Sequence, residues 1–297
     1  MVRPGDHRHH PRSPSLIPPD GRDLVPNIHS TSTADSRLSV TSRLRSGVVV
    51  IALAALLATA LTSCGADEKD KRSRSAPVDL ATLVASTTHA KLPRAPKDAH
   101  PLEATDGDVV HPRRVLAVYA APGRRPFAKV TPQQMNDTWL PVIDQRRGWT
   151  QVLLPSRPNG STGWLRTAQL EQRQTPYLVR VHLGSRQLEL VRDGDVIGTW
   201  SVAVGAPETP TPTGRTFLLG SVVDTNQGYS PLILPLGSHS DTLDSYGGGP
   251  GTVALHGWPD ASVFGQAISH GCVRVPADAL EQLRLVPLGS LVIVDQN

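Results

Sequence analysis

The sequence predicts a mainly β chain, in which a small barrel precedes a second β domain with one or two short helices. Two observations carry this prediction. Short β-prone runs separated by Gly, Pro, Asn and Asp turn signals recur after residue 112, and only one clear apolar pattern of helical period follows them. A length of 297 residues suits about two domains, at roughly 150 residues each. In order, the segments are 1–42, 43–64, 65–112, 113–172 and 176–297.

Residues 1–42 are rich in Pro, Ser, His and Arg and show no apolar period. This composition predicts a disordered extension, or a stretch that is not translated at all. The formal net charge of the chain is +4, and no basic tract interleaved with aromatic residues follows residue 45. The sequence therefore predicts no nucleic-acid partner.

Residues 43–64 have the pattern of an export signal. Arg43 and Arg45 precede an apolar run, Gly47–Leu61, which is too short for a comfortable membrane span. The run ends in Leu-Thr-Ser-Cys-Gly, which resembles a lipobox. The resemblance implies that Cys64 is lipidated, becomes the mature N-terminus and anchors the protein on the outer face of the cytoplasmic membrane, facing the cell wall. The alternative is an ordinary signal peptide with an incidental cysteine.

Residues 65–112 are interpreted as a linker. Asp67–Ser75 is a mixed-charge run that suits a solvated tether, and Val78–Ala85 is a weak candidate for a helix.

Residues 113–172 predict a small all-β unit. A β-hairpin is expected from Trp139–Ile143 and Trp149–Leu154, and Pro158-Asn159-Gly160 is a turn signal. The motifs Gly148-Trp149 and Gly163-Trp164-Leu165 resemble those of bacterial SH3-like domains.

The tryptophans of this unit have two interpretations. Exposed rings at 139, 149 and 164 would stack on sugar or peptide in a wall-binding module. Small barrels also need large side chains to fill their interior, and this favours a core role for most of them.

Residues 176–297 predict a second β domain. Asp193-Gly194 is a strong hairpin signal, Gly228–Gly251 suggests long loops, and Pro276–Val286 has a helical apolar face. Strands are expected at Tyr177–Val181, Gln187–Val191, Val196–Val204, Thr216–Val223, Thr252–Leu255 and Leu291–Val294.

The segment Ser269-His270-Gly271-Cys272-Val273-Arg274 contains one of only two cysteines, and His256 lies sixteen residues before Cys272. If Cys64 is lipidated, Cys272 is a free thiol in an exported protein. A thiol needs a base to become a nucleophile, and imidazole is the usual base. The same His and Cys side chains suggest zinc as an alternative, although their spacing lacks the paired-ligand pattern of structural zinc motifs.

Three motifs in this order resemble the YkuD-type L,D-transpeptidase family over about residues 176 to 297. They are the PTPTG run 210–214, His256-Gly257 and the SHGCVR block 269–274. The resemblance implies a β-sandwich with one or two short helices. It also implies an exported enzyme without cofactor or metal, which joins peptidoglycan stems by 3-3 cross-links through a cysteine thioester. Carbapenem-type β-lactams are the implied inhibitors.

The resemblance also implies residue roles. Cys272 is the nucleophile, His256 its base, and the carbonyl of Gly257 orients the imidazole. The amides of Gly271 and Cys272 are expected to stabilise an oxyanion. The remaining expected site residues bind substrate or tune the thiolate: Ser269, His270, Arg274, Tyr229 and Tyr246. His270 is expected to share a direction with Cys272 if the segment is extended.

Several alternatives stay open. Water as acceptor makes the protein an L,D-carboxypeptidase, and a free D-amino acid makes it an exchange enzyme. A non-catalytic wall-binding lipoprotein is the alternative from another class. His239 is expected to be a solvated loop residue.

Overall fold

The computed structural model describes residues 78–223, 228–246 and 249–297, all within one compact unit, residues 70–297. The predicted extension, signal peptide and Cys64 lie outside the described residues. Strands dominate the described part and a single α-helix accompanies them, so the mainly β prediction is confirmed. None of the helices in these segments is long and apolar enough to cross a membrane.

The N-terminal region, residues 78–174, is built from eight strands. They are β1 (Val84–Ala85), β2 (Asp108–Pro112), β3 (Leu116–Tyr119), β4 (Pro126–Val130), β5 (Leu140–Arg146), β6 (Trp149–Leu153), β7 (Thr162–Arg166) and β8 (Leu170–Gln174). Hydrogen bonds join them in the order β1-β4-β3-β7-β6-β5-β2-β8. Short 3-10 helices lie at Leu80–Thr82 and Thr167–Gln169.

The predicted hairpin of this region is present as β5 and β6. These strands pair antiparallel, with Arg146 opposite Trp149 at the turn. Gly148 has φ 75°, in the left-handed region that a residue without Cβ adopts at little cost.

The structure differs from the linker interpretation over its described part, residues 78–112. β1 pairs with β4, β2 pairs with β5 and β8, and Leu92 is buried in the core. The predicted helix at Val78–Ala85 is wrong, since a 3-10 turn and a two-residue strand occupy it. The segment shows no local period because its partners are distant: Thr162, for example, donates its N–H to the Pro96 carbonyl at 2.8 Å.

Two of the three tryptophans in this region belong to the interior. Trp149 and Trp164 are buried, and each carries an arginine over its ring, Arg166 at 3.8 Å and Arg146 at 4.8 Å respectively. These two positions agree with the core interpretation. Trp139 is half-buried. Its ring contacts the imidazole of His111 and lies under the guanidinium of Arg173.

In the C-terminal region, residues 176–297, the described residues form ten strands and the helix α1 (Ala277–Leu283). The strands are β9 (Tyr177–His182), β10 (Gln187–Arg192), β11 (Asp195–Ser201), β12 (Val204–Gly205), β13 (Gly214–Phe217), β14 (Ile233–His239), β15 (Thr252–Gly257), β16 (Ala267–Ser269), β17 (Val273–Val275) and β18 (Leu291–Asp295). They form sheets of five strands (β11-β10-β9-β18-β13), three strands (β14-β15-β17) and two strands (β12-β16). A 3-10 helix lies at Ala261–Val263.

Local signals located most of these elements. β10 and β11 form the predicted Asp-Gly hairpin, with Asp193 at φ 53° and Gly194 at φ 91°. The helix begins after Pro276, which is favoured at a helix start, but it is shorter than predicted. The strand predicted at Val196–Val204 is divided into β11 and β12.

The prediction of long loops at Gly228–Gly251 is wrong for β14. Ile233-Leu234-Pro235-Leu236 is an apolar run, and Leu234 and Leu236 are buried. Pro235 conceals the strand in the sequence because proline cannot donate to a ladder. β14 is the outer strand of its sheet, and beyond its ladder with β15 only isolated bridges join it, Ile233 to Val222 and Leu236 to Leu218, so the missing N–H breaks no central ladder.

The five-stranded sheet is buried on both faces at β18. Along β18, Val292 and Val294 belong to the core of the C-terminal region, whereas Leu291 and Ile293 belong to the core of the N-terminal region. This is the alternation of a strand, in which successive side chains point to opposite faces. The two regions therefore share one sheet.

A buried ion pair crosses the same contact. Asp98 of the N-terminal region accepts two hydrogen bonds from Arg215 of β13, at 2.6 and 2.8 Å. The two side chains are only 2% and 4% exposed. Arg215 also donates to the carbonyl of Glu103 at 3.1 Å. The segment interpreted as a linker is thus fixed to the C-terminal region.

Candidate active site

The strands β15 and β17 gather the chemically active side chains on one face. They run parallel, with Leu255 in register with Val273 and His256 in register with Arg274. Val273 is fully buried in the core. Because side chains alternate along a strand, Arg274 and His256 project to the opposite face. Cys272 directly precedes β17, and the Arg274 charge acts on both its thiol and the His256 imidazole. A thiol, an imidazole and a guanidinium therefore lie close together.

The imidazole of His256 is held by its own neighbour. Nδ1 lies 2.8 Å from the carbonyl oxygen of Gly257, the contact expected from the sequence. A carbonyl only accepts, so Nδ1 carries the proton and Nε2 is left as the basic nitrogen. The N–H of Gly257 donates to Ser230 Oγ at 2.7 Å, and Ser230 donates to the carbonyl of Leu232 at 2.6 Å. Ser230 is a support that the sequence analysis missed.

Burial shifts both reacting groups toward their neutral forms. It lowers the pKa of His256, with the Gly257 hydrogen bond opposing and the Arg274 charge adding to this effect. Burial also raises the pKa of the Cys272 thiol, while a backbone contact with Ala254 and the Arg274 charge oppose it. Both groups therefore favour their neutral forms, an imidazole and a thiol, near neutral pH.

Arg274 lies over the ring of Trp258, with its guanidinium carbon 3.6 Å from the ring centroid. This stacking fixes the guanidinium close enough to shift the pKa of both His256 and Cys272. Its Nε is buried without a hydrogen-bond partner among the described residues. The sequence analysis missed Trp258, although it directly follows the His-Gly pair.

The loop before Cys272 is bent. Gly271 has φ 110°, which only glycine adopts readily, so the segment is not extended and the expected common direction of His270 and Cys272 does not follow. The N–H of Gly271 donates to Ser269 Oγ at 3.1 Å. This amide is therefore engaged by a side chain of the same loop, and the oxyanion role expected of it stays a prediction. The N–H of Cys272 has no partner in the described part of the chain, and Ser269 Oγ donates to the carbonyl of Cys272 at 2.5 Å.

The Pro-Thr-rich loop braces this bend. Thr211 Oγ1 donates to the carbonyl of Gly271 and accepts from the N–H of Gly205, both at 2.9 Å. Thr209 Oγ1 donates to the carbonyl of Ser269 at 2.9 Å. The sequence analysis singled out this motif without assigning it a role.

Two tyrosines flank the histidines. The ring of Tyr229 meets His256 edge to face, at 5.1 Å between centroids. Tyr246 stacks on His270 at 5.0 Å, and its hydroxyl lies 3.4 Å from Nδ1 of that histidine. Both tyrosines are exposed, at 37% and 54%.

His239 corrects a prediction, since it is fully buried rather than solvated. Its Nε2 lies 2.6 Å from the carbonyl of Thr88 in the N-terminal region. Burial, together with the charge of Arg157, lowers the pKa of His239 to about 4, although the Thr88 hydrogen bond opposes this. The ring is neutral and belongs to the contact between the two regions.

Other features of the described part bear on ligands. Cys272 is a free cysteine. Among residues 78–223, 228–246 and 249–297, no three His, Cys, Asp or Glu side chains are grouped to hold a metal ion. A cavity of about 740 Å³ lies between the two regions, lined in part by Asp98 and Arg215, and neither Cys272 nor His256 lines it. The site is identified by its chemistry and not by the size of a cavity.

Comparison with known proteins places this site in a family context. Residues 176–294 match the family model of the YkuD L,D-transpeptidase catalytic domain. The chain is 30% identical over 122 residues to the putative L,D-transpeptidase YkuD of Bacillus subtilis, which covers 41% of this chain and 67% of that protein. It is 31% identical over 120 residues to the putative L,D-transpeptidase YkuD of Bacillus licheniformis, which covers 40% and 66%. The chain thus spans about two thirds of the length of these relatives.

Solved structures are similar at lower identity. An L,D-transpeptidase from Mycobacterium smegmatis is 15% identical, with a TM-score of 0.34, and the match covers 52% of this chain and 93% of that one.

Proposed function

Since the chain belongs to the YkuD-type L,D-transpeptidase family, we propose that it is a peptidoglycan L,D-transpeptidase which forms 3-3 cross-links through a thioester on Cys272. The single observation that carries the proposal is that His256 and Cys272 lie beside the same Arg274 guanidinium. The Nδ1 proton of His256 is held by the Gly257 carbonyl, and Nε2 is therefore free to act as the base.

In the first step, the Sγ of Cys272 attacks the carbonyl carbon that follows the L-centre of meso-diaminopimelate, or its equivalent, in a tetrapeptide stem. His256 Nε2 accepts the thiol proton and passes it to the departing amine of D-Ala as the C–N bond breaks and the C–S bond remains. The neutral state of both groups suits this transfer, because no stable ion pair has to be neutralised.

In the second step, the side-chain amine of another stem attacks the thioester. His256 accepts a proton from this amine and the Cys272 thiolate is released and protonated, which completes the 3-3 bond. Water in place of the amine gives the carboxypeptidase product, and a free D-amino acid gives the exchange product.

The N–H of Cys272 is the oxyanion donor in this proposal, because the N–H of Gly271 is bound to Ser269 Oγ. Removal of one such donor typically costs about 3 kcal/mol of transition-state stabilisation. The guanidinium of Arg274 supplies positive charge on the same face and suits a substrate carboxylate.

We also propose the setting of the reaction. The Cys64 lipid would anchor the protein outside the cytoplasmic membrane, where peptidoglycan stems are at hand, and the N-terminal region would act as an SH3-like unit. Carbapenem-type β-lactams would acylate Cys272 because they present a strained carbonyl to the same nucleophile.

Mass spectrometry of the protein incubated with a disaccharide tetrapeptide tests the proposal. We expect a covalent adduct on Cys272 and a dimer of stems, with neither in the Cys272→Ala variant. Tripeptide alone would identify a carboxypeptidase. If Cys272 stays unmodified in folded protein after incubation with the stem and, separately, with meropenem, the proposal that the protein is an enzyme is rejected.

A further inference from the structure

We propose that Arg157 of the N-terminal region is a positioning residue for the active site, which holds the loop that carries Tyr246 against His270. This loop, called the Tyr246 loop, comprises the described residues 240–246 and 249–251. The inference deepens the proposed function and rests on it for the identity of the substrate.

Arg157 binds three backbone carbonyls of the Tyr246 loop. Nη1 donates to Ser240 at 2.9 Å, and Nη2 donates to Leu243 at 3.1 Å and to Pro250 at 2.7 Å. These carbonyls lie near both ends of the loop. A planar guanidinium with fixed donor directions can hold three acceptors in one geometry, whereas a single ammonium on a flexible stem fixes them poorly.

Asn159, two residues further along, holds the base of the same loop. Its side-chain amide exchanges hydrogen bonds with the backbone of His239, at 2.9 Å to the N–H and 2.7 Å to the carbonyl. The same amide donates to Asp241 at 3.0 Å. Arg157 and Asn159 thus form one contact of the N-terminal region with the loop.

The other end of the loop reaches the proposed acyl site. Tyr246 and Gly249 exchange two backbone hydrogen bonds at 3.1 and 3.0 Å, which close the turn. The ring of Tyr246 stacks on His270, which lies two residues before Cys272. A continuous series of contacts therefore joins Arg157 to the wall of the site, and no side chain of the N-terminal region has to touch substrate for this effect.

Kinetics of the purified chain test the inference with three variants: Arg157→Ala, Arg157→Lys and the control Arg146→Ala. Arg146 is an arginine of the same region whose side chain contacts Asp144 and Trp164, and it does not bind the described residues of the Tyr246 loop. For Arg157→Ala we expect kcat/KM for the tetrapeptide to fall about tenfold, mainly through KM, since a displaced wall weakens substrate placement. Arg157→Lys should fall between Arg157→Ala and wild type, and Arg146→Ala should match wild type.

Two readouts separate positioning from general damage. Alkylation of Cys272 by iodoacetamide should keep its wild-type rate in Arg157→Ala, because the small reagent does not use the wall. Millimolar guanidinium should restore part of kcat/KM in Arg157→Ala alone. Unchanged kcat/KM in Arg157→Ala, or an equal loss of alkylation, overturns the inference.

Hydrogen exchange of the Tyr246 loop gives a measurement independent of the reaction. The loop amides should exchange at least about tenfold faster in Arg157→Ala than in Arg146→Ala, because the loop opens locally once its three carbonyls are released. Equal exchange overturns the inference even if the protein is active. Faster exchange in a protein that no stem acylates instead rejects the proposed function alone.

Discussion

At the scale of single residues, the site combines a buried base with a buried thiol, and the charge of Arg274 lies beside both. Burial acts on the two in opposite directions, lowering the pKa of His256 and raising that of Cys272. Proton transfer in the site therefore depends on the charges that remain, of which Arg274 is the one that affects both groups.

Replacement of Arg274 by Gln should move the alkylation of Cys272 to higher pH. The positive charge lowers the pKa of the thiol, so its removal raises that pKa and leaves less thiolate at a given pH. Rates with iodoacetamide between pH 6 and about 10 measure this without involving substrate binding. Arg274→Lys, which keeps the charge, is the control, and a profile unchanged in Arg274→Gln would contradict the electrostatic role.

His239 predicts a dependence of stability on pH. Its pKa is lowered from 6.5 to about 4, so the unfolded chain binds more protons than the folded chain between these values. The neutral ring of His239 therefore contributes to the free energy of unfolding. This contribution is complete above pH 6.5, is lost as the pH falls toward 4, and amounts to roughly 3 kcal/mol. Between pH 7 and pH 5, the free energy of unfolding measured with urea should fall less in His239→Gln than in wild type. An equal loss in both would exclude His239 as the source.

At the scale of elements, the bend before Cys272 depends on a loop that lies about sixty residues earlier in the sequence. Thr211 satisfies two buried backbone groups, the carbonyl of Gly271 and the N–H of Gly205. A methyl group in place of its hydroxyl leaves both without a partner.

Thr211→Val should therefore lower the free energy of unfolding by about 2 kcal/mol, because two buried polar groups lose their hydrogen bonds. Acylation of Cys272 should slow as the bend loses its support. Thr209→Val is the matched control, since the Ser269 carbonyl that Thr209 binds also accepts from the N–H of Ala206 at 2.8 Å. Equal losses in the two variants, measured by urea unfolding, would argue against the bracing role of Thr211.

Sequence predicted those elements whose signals are local. The hairpin of β10 and β11 follows from Asp193-Gly194, because Asp and Gly readily adopt the positive φ values that a two-residue hairpin turn requires. β14 was missed because Pro235 signals a break, while the burial that makes the run a strand comes from β15 and the core. Residue types within the run do not reveal that β15 and the core will bury it.

The candidate site divides in the same way. Cys272 and His256 each stand in a short motif, and reasoning from residue types indicated them, whereas the role of Gly257 was implied by the family resemblance. Trp258 and Thr211 act through contacts that only the register of β15 and β17 and the path of the Pro-Thr loop bring about.

At the scale of the whole molecule, the two regions are held together by the shared five-stranded sheet and by the Asp98–Arg215 pair. The pair is almost fully buried. Its members come from segments that the sequence suggested were separate, a linker and a catalytic domain, because no local pattern records a contact over 117 positions.

Asp98→Ala should destabilise the chain by about 3–5 kcal/mol, because the guanidinium of Arg215 then remains buried without its counter-charge. The double variant Asp98→Leu with Arg215→Met should lose much less, since no buried charge is left. Urea midpoints of the three proteins decide between these outcomes. A double variant as unstable as Asp98→Ala would show that shape, and not charge, dominates the contact.

The shared sheet also bears on how such a chain evolves. The family domain begins at residue 176 in sequence comparison, yet Phe217, Leu219, Leu291 and Ile293 of that domain complete the hydrophobic core of the preceding region. Recombination that moved residues 176–297 into another gene would carry an apolar face with no cover. This domain therefore cannot be transferred between genes by itself. Its N-terminal partner has to be inherited with it, or replaced by a domain that covers the same apolar face.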